Sequence, residues 1–276
     1  PGAYVPVELC WQPLAQTEKP YAVFVQLLDM SQMTVHGAPG IWGSRRTYPG
    51  LGNLSTDRWT PGQPFCDTVH VQVSRDTPTP LGTSIEIGLI DPETGNRLQA
   101  TNSQGDILDI SAVRGLSILP ADAKPVAEQP GGYVLDHAIA LKDVGFGHTL
   151  DDSLTVTLTW QALQPVTFDA TTFAHILGAD GSVLAQVDRQ PLDGRYPTSF
   201  WASGQVITDV LNLAPMPDAL DAYRRERELG SLALNLGMYT WPSLKRLGVT
   251  DASGTAQSDD VITIEITPPT EEKTDP

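Results

Sequence analysis

Loop aromatics set beside arginines are the residues of this chain best suited to chemistry. Trp42, Arg45, Arg46 and Tyr48 fall within the glycine-rich span 37–52, and Arg189, Asp193, Arg195 and Tyr196 form a similar set further on. Flat aromatic faces stack on the apolar C–H face of a sugar ring, while Arg and Asp hydrogen-bond its hydroxyls. Such loops on a rigid scaffold suit glycan binding. The competing expectation is structural: both tyrosines clip their loop onto the scaffold, and the arginines pair with local acids. We favour the structural one, because both sets keep the tyrosine, as fold-maintaining residues do.

Motifs for catalysis are nearly absent. Gly82-Thr83-Ser84-Ile85 continues into Glu86, which fails the Gly-x-Ser-x-Gly pattern of a nucleophile elbow. There is no His-Glu-x-x-His, no Cys-x-x-Cys and no phosphate-binding Gly-Lys-Ser/Thr loop. The five histidines (His36, His70, His137, His148, His175) show no ligand spacing; His70 and His175 sit in strand patterns and are expected to be hydrogen-bonded structural groups. No cofactor or metal is expected. Asp91-x-Glu93-x-Gly95-Asn96 alternates oxygen ligands but lacks the further acid of a calcium loop, so a hairpin turn explains it better. A glycosidase-like carboxylate pair requires only two acids facing across a groove, and 33 Asp and Glu are present.

Cys10 and Cys66, the two cysteines, both fall on the polar parity of their strands. Outward positions on neighbouring strands suit a disulfide in an oxidising compartment; two unrelated free thiols are the alternative. The 17 basic residues against 33 acidic leave a net charge of -16, which argues against nucleic acid or an anionic membrane surface as partner. No run approaches the ~18 apolar residues of a membrane span, so no direct membrane insertion is expected.

The elements that must position these residues read as strands. Leu154, Val156, Leu158 and Trp160 alternate with threonines, Val69, Val71 and Val73 with His70 and Gln72, and Ile262, Ile264 and Ile266 with Thr263 and Glu265. Alternation of this kind marks antiparallel sheet with one wet face. Glycine and proline turns separate the strands, and only 218–229 reads as helix, a charged insert expected to lie solvated on the surface. The fold class is therefore all-β: two tandem antiparallel β-sandwiches, jelly-roll or immunoglobulin-like, with a minor helical insert in the second.

Tandem organisation follows from an internal repeat near 149 residues. Trp11 and Phe24 return as Trp160 and Phe173; Trp59-x-x-Gly62-Gln63 with Asp67 returns as Trp201-x-x-Gly204-Gln205 with Asp209. Gly88 and Leu98 return as Gly237 and Leu247. A period of this length marks a duplicated domain. The expected divisions are a sandwich over 1–118, a Pro/Gly linker over 119–132, a second sandwich over 133–267 and a disordered tail over 268–276. Matching Tyr48 to Tyr196 places six additional residues before Trp59 in the first copy. The first copy also has only ten residues before Trp11 and is expected to lack its opening strand: either the sequence begins inside a domain, or the segment 107–119 fills that edge.

Trp160-Gln161-Ala162-Leu163, Phe173, Tyr196-Pro197-Thr198-Ser199-Phe200-Trp201-Ala202-Ser203-Gly204 and Gly88-Leu89-Ile90-Asp91-Pro92 together carry a resemblance. The chain resembles the β-sandwich repeats found beyond the membrane-spanning part of bacterial glycosyltransferase-like proteins of the dolichyl-phosphate-mannose mannosyltransferase type. Thr240-Trp241-Pro242 departs from the Asp-Pro turn of that pattern. The resemblance implies a non-catalytic extracytoplasmic accessory module, tethered to the membrane-embedded part of the same polypeptide, with transferase chemistry elsewhere. Glycan is one expected partner. A purely structural spacer or protein-interaction module is the alternative, and a glycoside hydrolase ranks behind both.

Overall fold

The computed structural model describes residues 1–33, 39–109, 111–127, 132–148 and 152–266. The expected tail 268–276 and linker residues 128–131 lie outside them. The chain divides into two compact units, Pro1–Ala123 and Lys124–Pro276, and no helix is long and apolar enough to cross a membrane. The division falls inside the span read as linker, but residues beyond it are engaged in the second unit. The Val126 N–H donates to the Gly204 carbonyl (2.8 Å), and Gln161 Nε2 donates to the carbonyls of Val126 and Ala127.

The chain is all-β and sandwich-like, with antiparallel strands throughout. In the first unit β1 (Tyr4–Trp11) pairs with β4 (Phe65–Gln72) as a two-stranded sheet. Facing it is a four-stranded sheet of β2 (Ala22–Met33), β3 (Pro39–Thr47), β5 (Leu81–Ile90) and β8 (Ala112–Ile118), in the order β3-β2-β5-β8. β6 (Ala100–Thr101) and β7 (Ile107–Leu108) form a separate ribbon. The period-two pattern explains the core: Val7, Leu9, Val69, Val71 and Val73 meet Val23, Val25 and Leu27 between the sheets. Cys10 and Cys66 face each other across β1 and β4 on the outer side and form a disulfide.

The second unit is fuller. β9 (Tyr133–Leu135), β10 (Ile139–His148), β11 (Leu154–Ala162), β14 (Val206–Leu213) and β17 (Val249–Asp251) make one sheet in the order β14-β11-β10-β9-β17. β12 (Ala170–Leu177), β13 (Val183–Arg189), β15 (Ala233–Thr240) and β16 (Lys245–Arg246) make the other, with β18 (Ile262–Glu265) also on β15. Helix α1 (Leu220–Leu229) ends on Gly230 at φ 67°, the left-handed turn that glycine adopts without a Cβ clash. It is not merely a solvated decoration: Tyr223 is fully buried beneath it, and Arg224 and Arg227 both bridge to Asp152 (2.6 and 3.0 Å). The charged sequence concealed this because one aromatic per three turns carries little periodic signal.

Register makes the duplication explicit and corrects one alignment. Val23 opposes Thr47 as Thr172 opposes Arg189, so the hairpin joining β2 and β3 spans 24 positions against 17 in the second copy. The extra residues belong to that hairpin and not to the loop before Trp59. Leu54, not Tyr48, then stands where Tyr196 stands: the Trp59 indole N–H donates to the Leu54 carbonyl as that of Trp201 donates to Tyr196 (both 3.1 Å). Matching by residue identity misled because two tyrosines happened to fall in neighbouring turns.

The segment 107–119 does not fill the vacant edge beside β1. Its strand β8 pairs with β5, in the opposite sheet. Among the described residues β1 has β4 as its one strand neighbour.

Candidate functional site

Several side chains repeated between the copies are spent on holding each sandwich together. The Thr56 hydroxyl donates to the Lys19 carbonyl and accepts from the Tyr21 N–H; Thr198 does the same between Phe168 and Ala170. Gly88 lies under the Phe24 ring and Gly237 under Phe173, where an added Cβ would come within 2.6 and 2.5 Å of the ring. Arg97 and Arg246 also lie over those rings, at 4.5 and 5.0 Å from the centroids. Function must therefore be sought where the copies differ.

In the second unit Tyr196 and Arg189, two of the four expected binding residues, are absorbed into the fold, while Asp193 is exposed. Tyr196 is fully buried, and its hydroxyl donates to the Phe200 carbonyl or to Gln205 Oε1. Arg189 bridges Asp193 (2.9 Å) and the fully buried Asp209 (2.8 Å) and also donates to the Val210 carbonyl (2.7 Å). Burial pushes the Asp209 carboxyl above its ordinary value, against the pull of Arg189 and the Leu192 N–H. Arg195 is half-buried in the same loop. Arg189 thus ties β13 to β14 and closes the seam between them.

The first unit leaves that seam open. Thr47 stands in the place of Arg189, and Asp67, the counterpart of Asp209, accepts from the Gly50 N–H instead (2.7 Å). Two clefts lie between β3 and β4, and only the second of them is lined by Thr47 and Asp67. At the Trp42 end both copies keep a bridge, Gly43 to Val73 and Ala185 to Pro215. One, of about 510 Å³, is lined by Trp42, Ser44, Gln72, Ser74 and Arg75 among others. The second, of about 140 Å³, has Tyr4, Arg45, Thr47, Asp67, Thr68 and His70. Trp42 is the bulge residue of β3, half-buried, with its carbonyl held by the Ser74 N–H (2.7 Å). Leu184 takes the corresponding bulge in β13 and is buried.

Of the first set of candidates, Trp42 and Arg45 both lie between β3 and β4, in separate clefts. Tyr48 does not: it packs against Ala22, Phe24 and Ile90 on the far face of the four-stranded sheet. Arg46 is exposed on β3 opposite Phe24. Gln72, Ser74 and Arg75 carried no signal in the sequence, because they come to Trp42 only when β4 folds beside β3.

The buried carboxylates have partners. Glu86 pairs with Arg97, and Asp29 accepts from the backbone N–H and hydroxyl of Ser31. Asp91 pairs with Lys19 and accepts from the N–H groups of Glu93 and Thr94, the hairpin role expected of it. His175 sits 3.1 Å from Asp188. The Lys19 ammonium and those backbone donors hold the Asp91 carboxyl at about 2, below its ordinary 3.8. Because the folded value is the lower one, the stabilisation is present above pH 3.8 and is lost as pH falls through 2. Urea midpoints of the first unit are expected to fall across this window, and Asp91→Asn to flatten that part of the profile. A variant with the parent's acid limb would show that Asp91 is not responsible.

No protein-family model matches the chain, and no curated protein does. Solved structures do. The chain is similar to a β-glucuronidase from Ruminococcus gnavus in complex with D-glucaro-d-lactam: 12% identity, over 95% of this chain and 36% of that one, with a TM-score of 0.23. It is also similar to an FMN-binding β-glucuronidase from Facaelibacterium prausnitzii L2-6, at 13% identity over 91% of this chain and 33% of that one, TM-score 0.22. The chain spans about a third of the length of these proteins.

Proposed function

We propose that this chain is a non-catalytic extracytoplasmic accessory module that contacts glycan along the β3–β4 seam of its first sandwich. The observation carrying the reading is the difference between the copies. Arg189 closes the seam in the second unit, whereas in the first Thr47 lines a cleft with Arg45 and His70, and Trp42, Gln72 and Arg75 line another between the same two strands. A half-buried indole among amide, hydroxyl and guanidinium groups matches the two faces of a sugar ring. The Cys10–Cys66 disulfide supports an oxidising, extracytoplasmic setting. Attachment to a membrane glycosyltransferase-like protein rests on the Trp-x-Ala-Leu and Tyr-Pro-Thr-Ser-x-Trp motifs.

A glycan array probed with the full chain tests this. Trp42→Ala and Thr47→Arg, the second chosen to close the seam as Arg189 does, are each expected to weaken binding about tenfold or more. Tyr48→Ala, on the far face, leaves binding unchanged. A silent array with folded protein moves the assignment to a spacer or protein-interaction module.

A further inference from the structure

Three side chains change together between the two copies. Glu8, Cys10 and Cys66 stand where the second sandwich has Thr157, Thr159 and Thr208. A threonine hydroxyl is a poor metal ligand, whereas one carboxylate and two thiols are the donor set of a zinc-type ion. All three project from the outer face of β1 and β4: Glu8 and Cys10 share one parity of β1, and Cys66 faces Cys10 in register. Each is exposed there. Thr208 is exposed as well, in a five-stranded sheet, so access to this face does not come from the edge of β1.

A carboxylate oxygen of Glu8 and the sulfurs of Cys10 and Cys66 lie within 4.8 Å of one another. Zinc sits about 2.3 Å from sulfur and about 2.1 Å from a carboxylate oxygen, so the donors of one tetrahedron are about 3.5–3.8 Å apart. The sulfurs are bonded to each other in this structure and stand in for two thiolates. Side-chain rotation brings them to the tetrahedral spacing once that bond opens. The eight-residue ladder of β1 and β4 keeps them opposed meanwhile. The Glu8 carboxylate is uncommitted: among the described residues it has no hydrogen-bond or ion-pair partner. The cysteines are 56 positions apart, so nothing in their spacing flags a metal site.

We propose that Cys10, Cys66 and Glu8, once the disulfide is reduced, bind a thiophilic divalent cation of the zinc class. A dithiol supplies the two electrons and two protons: the S–S bond breaks, two thiols form, and the donor leaves as its own disulfide. The cation then displaces both thiol protons to solvent, and its two bonds to sulfur join β1 to β4, with Glu8 as third ligand. A fourth position stays open to water. Disulfide and metal are thus alternative cross-links over the same pair of strands. Neither uses the clefts between β3 and β4, so the site stands or falls apart from the glycan reading.

The full chain is reduced with a phosphine and, without oxygen, titrated with Zn²⁺ against a chromophoric chelator and with Cd²⁺ by its thiolate charge-transfer absorption. One ion per chain is expected, with release of two protons and protection of both thiols from alkylation. Glu8→Gln, at an exposed position, weakens binding about tenfold or more. The oxidised chain does not bind at this site. Amide exchange at Val69 and Val71, quickened by reduction, is slowed again by Zn²⁺. Absence of stoichiometric binding overturns the proposal. So does a Glu8→Gln chain that binds as tightly as the parent, since the thiols alone would then hold the ion. A β1–β4 ladder lost on reduction and not restored by Zn²⁺ overturns it equally.

Discussion

Serine at both Cys10 and Cys66 lowers the stability of the first unit by about 4 kcal/mol and leaves the second unit unmoved. The bond closes a loop over a sequence separation of 56 residues, and releasing it returns that much freedom to the unfolded chain. It also ties together the two strands of a sheet that has no others among the described residues. The second copy shows the contrast: Thr159 and Thr208 face each other in the same register without a covalent link, inside a five-stranded sheet. Hydrogen exchange across a urea series reads the two units separately. Reductant added to the parent protein should reproduce the shift. A loss shared equally by both units would mean that the disulfide acts on something other than the first sandwich.

Trp160→Ala costs the second unit about 4 kcal/mol, while Trp11→Ala costs the first about half as much. The two residues hold equivalent places in the repeat, so the difference isolates packing. Trp160 is 0% exposed between β10 and β14, whereas Trp11 is half-buried against Trp59 at 5.6 Å between ring centroids. Truncation at a closed site leaves a cavity; truncation at an open one lets water in. Chemical denaturation of the two variants, read unit by unit, measures the ratio. Equal costs would show that Trp11 is covered in solution as fully as Trp160.

The candidate site was only partly legible. Trp42 and Arg45 stood out as an aromatic and a cation in a glycine-rich stretch, and both lie between β3 and β4, in separate clefts. Tyr48, Arg189 and Tyr196 looked alike in sequence but serve packing, ion pairing and a loop latch respectively. A side chain's type states what it can bind, not whether its partner is a ligand or the protein itself.

The sequence by itself determined the strands, their faces, the duplication and the outward parity of both cysteines. These depend on local alternation and on spacing along the chain, which burial of one sheet face imposes directly. Only the tertiary structure decided that Leu54 stands for Tyr196, that Tyr223 anchors α1, that Arg189 closes one seam while Thr47 leaves the other open, and that β8 joins β5 and not β1. Each of those depends on which distant segments lie side by side. Alternation is satisfied equally well by many strand pairings, so it cannot choose among them; the packing of whole sheets does.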